Sequence, residues 1–259
     1  MIKAIFFDID GTLVSFNTHR VPESTAHAIK ELREKEVKVF IATGRHLSAI
    51  DNLGTLEFDG YVTLNGGYCY AGKDKAIYKH PIPKEDIKSL IRFLEEDTDF
   101  PCVFVREHDL FMNYQNETTE SLFNLLNFPV PAIVPIQNAL KKDIFQLIAF
   151  FTEEQKEHAM TALPHCGATS WHPSFADVVP AGSNKSIGID KIIEYFGISL
   201  NETMAFGDGG NDISMLQHAG LGVAMGNAKE EVKQKADYVT TSVDEDGIAN
   251  ALKHFGIID

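Results

Sequence analysis

Cysteine is scarce in this chain of 259 residues: Cys69, Cys102 and Cys166 are an odd number with no CxxC spacing. That argues against a disulfide framework or a zinc cluster and fits free thiols in a reducing compartment. Long apolar runs are missing too. The opening stretch Ile2–Phe7 is cut short by Asp8 and Asp10, and no later run approaches the ~18 residues a membrane span requires. Neither a signal peptide nor a span is expected, and the expected location is cytoplasmic. Basic residues are in deficit, 23 Lys plus Arg against 37 Asp plus Glu, for a formal net charge of -14. Such a chain repels nucleic acid and anionic membranes, so neither is an expected partner. The ten histidines show no HxH or HExxH spacing, and no Walker sequence or GxGxxG follows the first apolar stretch. Zinc-protease and nucleotide-cofactor readings lose their support accordingly. If the ligand is itself an anion, something local must reverse the global field.

What is present is ordinary globular material: 44% hydrophobic and 23% charged residues. The length suits about two domains. Short apolar runs at Lys3–Phe7, Val37–Ala42 and Tyr61–Leu64 alternate with a helical spacing over Pro22–Lys35. Buried strands separated by helices predict a parallel α/β sheet. From Pro83 to Pro180 the pattern changes. Helical stretches at Lys84–Glu96, Glu117–Leu126 and Glu153–Leu163 mix with strands that read as hairpin partners, among them Val103–Arg106 and Leu110–Tyr114 around Glu107-His108-Asp109. After Lys185 the α/β pattern returns, with a strand at Thr203–Phe206. The expected organisation is a core of residues 1–82 and 181–259 interrupted by an α+β insert of residues 83–180.

Three polar loops each follow a predicted buried strand, which in an open α/β sheet gathers them at the carboxyl edge where ligands bind. The first holds Asp8 and Asp10, the second Thr43 and Gly44, the third Asp208, Asn211 and Asp212. Carboxylates crowded together disfavour joint ionisation, and a hard divalent cation resolves the conflict. Oxygen donors without nearby His or Cys suit magnesium. Thr43 and Gly44 offer a hydroxyl and an N–H to an anion. Lys185 stands at a helix start, where cations are disfavoured, so it asks for a reason, and it could serve as a point positive charge for a phosphate. Taken singly, each feature also fits a plain acidic turn, a Thr-Gly turn or a solvated lysine.

Together they resemble something more specific. Phe6-Phe7-Asp8-Ile9-Asp10-Gly11-Thr12-Leu13, then Ala42-Thr43-Gly44-Arg45, then Lys185, then Phe206-Gly207-Asp208-Gly209-Gly210-Asn211-Asp212 resemble the four motifs of the haloacid dehalogenase superfamily. The Thr-Gly-Arg form, Asn65-Gly66 and the insert between the second and third motifs are similar to its Cof-type phosphatase branch. The resemblance implies a Rossmann-like core with an inserted α+β cap of the C2 type. It implies Asp8 as the nucleophile that forms an aspartyl-phosphate, and Asp10 as acid to the leaving alcohol and then base to water. It implies magnesium held by Asp8, the Asp10 backbone carbonyl and Asp208, with Asp212 supporting the metal or the lysine. Phosphate would be held by the Ile9 N–H, Thr43, Gly44, Lys185 and Asn211. The implied substrate is a small phosphorylated metabolite, sugar phosphates foremost, with cap contacts sought at Glu107, His108, Trp171 and His172.

Other readings share parts of this chemistry. A phosphomutase or phosphotransferase would use the same aspartyl-phosphate, although a mixed α+β insert differs from the small helical caps of the mutases. A phospho-accepting signalling receiver is also an acidic α/β pocket, but it is a single domain of about half this length. A non-catalytic binding module would tolerate loss of either Asp8 or Asp10, and both are here.

Overall fold

The computed structural model describes residues 1–96, 99–125, 129–172 and 174–259. The chain forms two compact units: Met1–Lys79 together with Asn184–Asp259, and His80–Ser183. The first unit begins with β1 (Ala4–Phe7), α1 (Glu23–Glu34), β2 (Lys38–Ala42), β3 (Gly60–Thr63), β4 (Tyr68–Ala71) and β5 (Lys75–Lys79). The inserted unit comprises α2 (Lys84–Glu96), β6 (Cys102–Val105), β7 (Leu110–Met112), α3 (Glu117–Leu125), β8 (Ala132–Ile133), β9 (Gln146–Ala149), α4 (Glu153–Thr161), β10 (Cys166–His172) and β11 (Phe175–Pro180). The first unit then resumes with α5 (Lys185–Phe196), β12 (Thr203–Gly207), α6 (Ile213–His218), β13 (Gly222–Ala224), α7 (Glu230–Lys233), β14 (Tyr238–Val239) and α8 (Gly247–His254).

In the first unit eight strands form one sheet in the order β14-β13-β12-β1-β2-β3-β4-β5. From β14 to β3 every pair is parallel, as the alternating pattern predicts. All four residues of β1 are shielded from solvent, as befits a central strand with neighbours on both edges. Register is fixed by aromatic pairs. Phe6 lies opposite Phe40 with ring centroids 4.9 Å apart, and Phe7 lies opposite Phe206 at 5.2 Å. Consecutive residues of a strand point to opposite faces, so the two pairs work on opposite sides of the sheet.

Beyond this parallel core one edge of the sheet is antiparallel: β3 pairs with β4 and β4 with β5 in that sense. The physical reason is the turn at Leu64–Gly66, far too short for the dozen or more residues a parallel crossover needs. Three successive residues there are left-handed, Leu64 at φ 52, Asn65 at φ 51 and Gly66 at φ 89. Helix α5 lies over β3, and its Gly188 makes this possible, since a Cβ there would overlap the side chain of Val62. Its start is capped by Asn184, whose side chain accepts the Ile187 N–H at 3.1 Å. Ile189, Ile192 and Ile193 join Phe6, Phe40 and Val62 in a buried cluster, each large side chain contributing about 1.5–3 kcal/mol.

The inserted unit has its own six-stranded sheet in the order β10-β11-β9-β6-β7-β8, antiparallel except between β7 and β8. The expected hairpin is there: Val105 pairs with Leu110, and the Arg106 N–H reaches the Asp109 carbonyl at 2.9 Å. Helix α2 turns Ile87, Leu90, Ile91 and Leu94 onto a separate core with Phe104, Leu147 and Val178. Leu126, expected to end α3, lies outside the described residues, as do the side chains of Trp171 and His172. Among the described residues no helix is long and apolar enough to cross a membrane.

Candidate active site

Strands β12, β1 and β2 are adjacent and parallel, so the loops that follow them meet at one edge of the first unit. Asp8 directly follows β1 and is largely buried, 7% exposed. Lys185 opens α5 and is fully buried. Its ammonium donates to Asp8 Oδ1 and to Asp212 Oδ1, both at 2.6 Å. Those two carboxylates are why a lysine survives at a buried helix start.

Asp212 is also fully buried, and its second oxygen accepts the N–H groups of Asp208 at 2.9 Å and Gly209 at 2.8 Å. One carboxylate thus serves three donors and sets the shape of the loop after β12. Asp208 is held in turn: the Thr12 hydroxyl donates to its Oδ1 at 2.7 Å, and Asn227 Nδ2 reaches its Oδ2 at 3.4 Å. Asn227 also donates to the Gly11 carbonyl at 2.8 Å and accepts the Val243 N–H at 3.0 Å. Gly11 adopts φ +87, and a Cβ there would overlap the Asp208 carboxylate, so only glycine fits the turn.

Asp10 goes elsewhere. Arg45 grips both its oxygens, Nη2 to Oδ1 at 2.6 Å and Nε to Oδ2 at 2.8 Å. Thr43 is 2% exposed and accepts the Arg45 N–H at 3.1 Å, while Gly44 lies against Asn65, which accepts from Asn211 Nδ2 at 3.0 Å. The Ile9 side chain is fully buried, which leaves only its backbone to a ligand.

The charges do not balance locally. Burial, then the neighbouring Asp212, push the Asp8 carboxyl well above the usual range, against the pull of Lys185. Burial and then Asp212 push Asp208 up to about 7, with Thr12 and Lys185 opposing. For Lys185, burial lowers the ammonium's pKa, but Asp212 and Asp8 outweigh it and leave it raised. Asp8, Asp208 and Asp212 can each offer one oxygen within 4.8 Å of the others. An oxygen-only, over-negative donor set fits a hard divalent cation such as magnesium.

The sequence profile of haloacid dehalogenase-like hydrolases matches residues 5–252. This chain belongs to that family. As a haloacid dehalogenase-like hydrolase it is 36% identical to the putative phosphatase YkrA of Bacillus subtilis (strain 168), over 99% of this chain and 98% of that protein. The solved structure of the HAD subclass IIB sugar phosphatase BT4131 is 50% identical and superposes with a TM-score of 0.91, covering 99% of this chain and 100% of that one. BT1666 from Bacteroides thetaiotaomicron, described among phosphatases of this superfamily, is 40% identical with a TM-score of 0.92, covering 100% of this chain and 96% of that one. The family and the α/β class expected from the motifs are those found.

For this haloacid dehalogenase-like hydrolase the geometry also shows what sequence reasoning missed. Arg45 stands in the Thr-Gly-Arg motif, but the sequence alone gives it no role. Asn227 was overlooked, yet it follows β13, another parallel strand ending at the same edge, and that shared context was the available signal. Of the candidates in the insert, Glu107 and His108 occupy the β6–β7 turn, with the His108 side chain 81% exposed.

Proposed function

We propose that the protein hydrolyses phosphate monoesters of small metabolites, sugar phosphates foremost, through an aspartyl-phosphate on Asp8. The observation that carries this reading is the buried Lys185, bonded at 2.6 Å to both Asp8 and Asp212 beside Asp208, with a second carboxyl, Asp10, only two residues from the first. The sugar-phosphatase name borne by BT4131 supports the substrate class.

In the first step an Asp8 oxygen attacks phosphorus, and the P–O bond to the alcohol breaks as Asp10 gives that oxygen a proton. In the second, Asp10 takes a proton from water, and the resulting hydroxide displaces Asp8, releasing inorganic phosphate. The Lys185 ammonium, the Thr43 hydroxyl, the Asn211 amide and the N–H groups of Ile9 and Gly44 would hold the remaining phosphoryl oxygens. Asp8, Asp208 and the Asp10 carbonyl would hold magnesium, and Asp212 would fix the loop that carries Asp208. Bound there, magnesium would supply positive charge beside the negative charge carried by the phosphoryl oxygens. The inserted unit, as a cap, would select the leaving group. A cytoplasmic location suits the three free thiols.

The test is release of phosphate from a panel of phosphorylated metabolites with magnesium, for wild type and Asp8→Asn. Turnover should vanish in the variant while its circular dichroism stays unchanged; near-normal rates in Asp8→Asn would refute the nucleophile. Transfer of the phosphoryl group to a second sugar, in place of free phosphate, would make the protein a phosphotransferase, and conversion to an isomeric phosphate of the same sugar would make it a phosphomutase.

A further inference from the structure

We propose that Arg45 positions Asp10 for proton transfer, and so acts on the reaction through Asp10. The proposal rests on the phosphatase reading above. The Arg45 guanidinium donates in parallel to both Asp10 oxygens, at 2.6 and 2.8 Å, the planar fork that fixes a carboxylate's orientation and not merely its charge. Asp10 needs such a hold, because its side chain is 38% exposed and it is not among the three aspartates, Asp8, Asp208 and Asp212, that can each offer an oxygen within 4.8 Å of the others. Left alone, an aspartate this open would sample several rotamers.

Arg45 is itself anchored at both ends. Its Nη1 donates to the Ala49 carbonyl at 2.9 Å, its own N–H donates to Thr43 Oγ1 at 3.1 Å, and its carbonyl accepts the Leu64 N–H at 3.2 Å. A carboxyl group has roughly four lone-pair sites, and the fork uses two. Protonated Asp10 can therefore keep both bonds while its O–H points outward, so the grip need not open during the reaction. Because a proton donor must lie within hydrogen-bond reach of the leaving oxygen, a 1 Å misplacement can cost about 100-fold.

A positioning role through Asp10 leaves a mark that a phosphate-binding or structural role would not: the loss depends on the leaving group. Nitrophenolate departs without a proton, whereas a sugar alkoxide needs one. The experiment measures kcat/KM, which covers the steps up to departure of the alcohol. The two substrates are p-nitrophenyl phosphate and whichever of glucose, mannose and fructose 6-phosphates the wild type hydrolyses fastest.

Arg45→Ala should lower kcat/KM at least about 30-fold on the hexose ester and less than about fivefold on the nitrophenyl ester, within the range of general acid catalysis. Arg45→Lys, which keeps the charge but loses the fork, should show the same preference, and it carries the comparison if the alanine variant does not fold. In an Asp10→Asn background, Arg45→Ala should cost no more than about twofold further on the hexose ester. Equal losses on both esters, or a full additional loss in the Asp10→Asn background, would overturn the assignment of Arg45. A wild-type protein that releases phosphate from none of the hexose esters would instead overturn the sugar-phosphatase reading itself.

Discussion

Lys185 and Asp212 are both fully buried, and the ammonium meets the carboxylate at 2.6 Å. A charge at a buried helix start is tolerated because two aspartates, Asp212 and Asp8, share it. The pair is thereby part of the fold as well as of the site.

Removing the cation alone should expose that dependence. Lys185→Met leaves two buried carboxylates without a counter-ion, a defect that costs about 3–5 kcal/mol when one partner of a buried pair is lost. Urea unfolding in EDTA should show a loss of that order, and magnesium should restore part of it by taking over the neutralisation. An equal loss with and without magnesium would show that the carboxylates do not feel the lysine's absence as charge.

The raised carboxyls also set a pH dependence. Asp8 and Asp208 have folded-state values above the unfolded range, with Asp208 at about 7. Such groups favour the folded protein while protonated, so their contribution is full below about pH 4 and fades as pH rises through about 7. The metal-free protein should therefore lose stability from these groups between pH 5 and 8. The stabilisation given by magnesium should grow over the same window. Unfolding midpoints at pH 5, 6, 7 and 8 with and without magnesium check this; a constant magnesium increment would contradict it.

Gly66 couples the β3–β4 turn to α5. At φ +89, a Cβ there would overlap the carbonyl of Asn184, the residue that caps α5 next to Lys185. Gly66→Ala should cost more than the roughly 1–2 kcal/mol of a left-handed alanine, and it should lower activity at least tenfold by shifting Lys185. Gly72→Ala, at φ +61 with open space around it, should cost only that left-handed term and leave turnover intact. Thermal unfolding and initial rates of the two variants separate the cases.

The thiols should be quiet in the native protein. Burial pushes Cys69 up to about 12, and burial together with the Asp86 carboxylate pushes Cys166 up to about 12; burial raises Cys102 as well. At pH 8 alkylation by iodoacetamide should be far slower than for a free thiol near 8.5, and it should still be rising at pH 10. Three thiols should react promptly in urea. Rapid native labelling of any one of them would show that its surroundings open.

Much of the site was legible because chemistry and periodicity coincide there: Asp8, Thr43 and Asp208 each follow an apolar run that could only be a buried strand. The edge hairpin was not. Lys75–Lys79 carries a lysine at each end, and partly exposed edge strands lack the continuous apolar pattern of the centre. The partners of the carboxylates were hidden for another reason. Arg45 lies 35 positions from Asp10, and Asn227 lies 216 from Gly11, so no local spacing reports either contact. Only tertiary folding states which oxygen each side chain takes.

The placement of β1 between β2 and β12 has a consequence for synthesis. The wholly apolar strand Ala4–Phe7 is translated long before the neighbour on one of its edges, which begins only at Thr203. At about 5–20 residues per second a ribosome needs ~10–40 s to bridge that interval. Throughout it the nascent chain carries a hydrophobic strand with one bare edge, open to mispairing and to chaperones that shield such edges. Asp8, the residue assigned to react first, is thus among the last to see its surroundings completed: Lys185 emerges after the entire insert, and Asp208 later still.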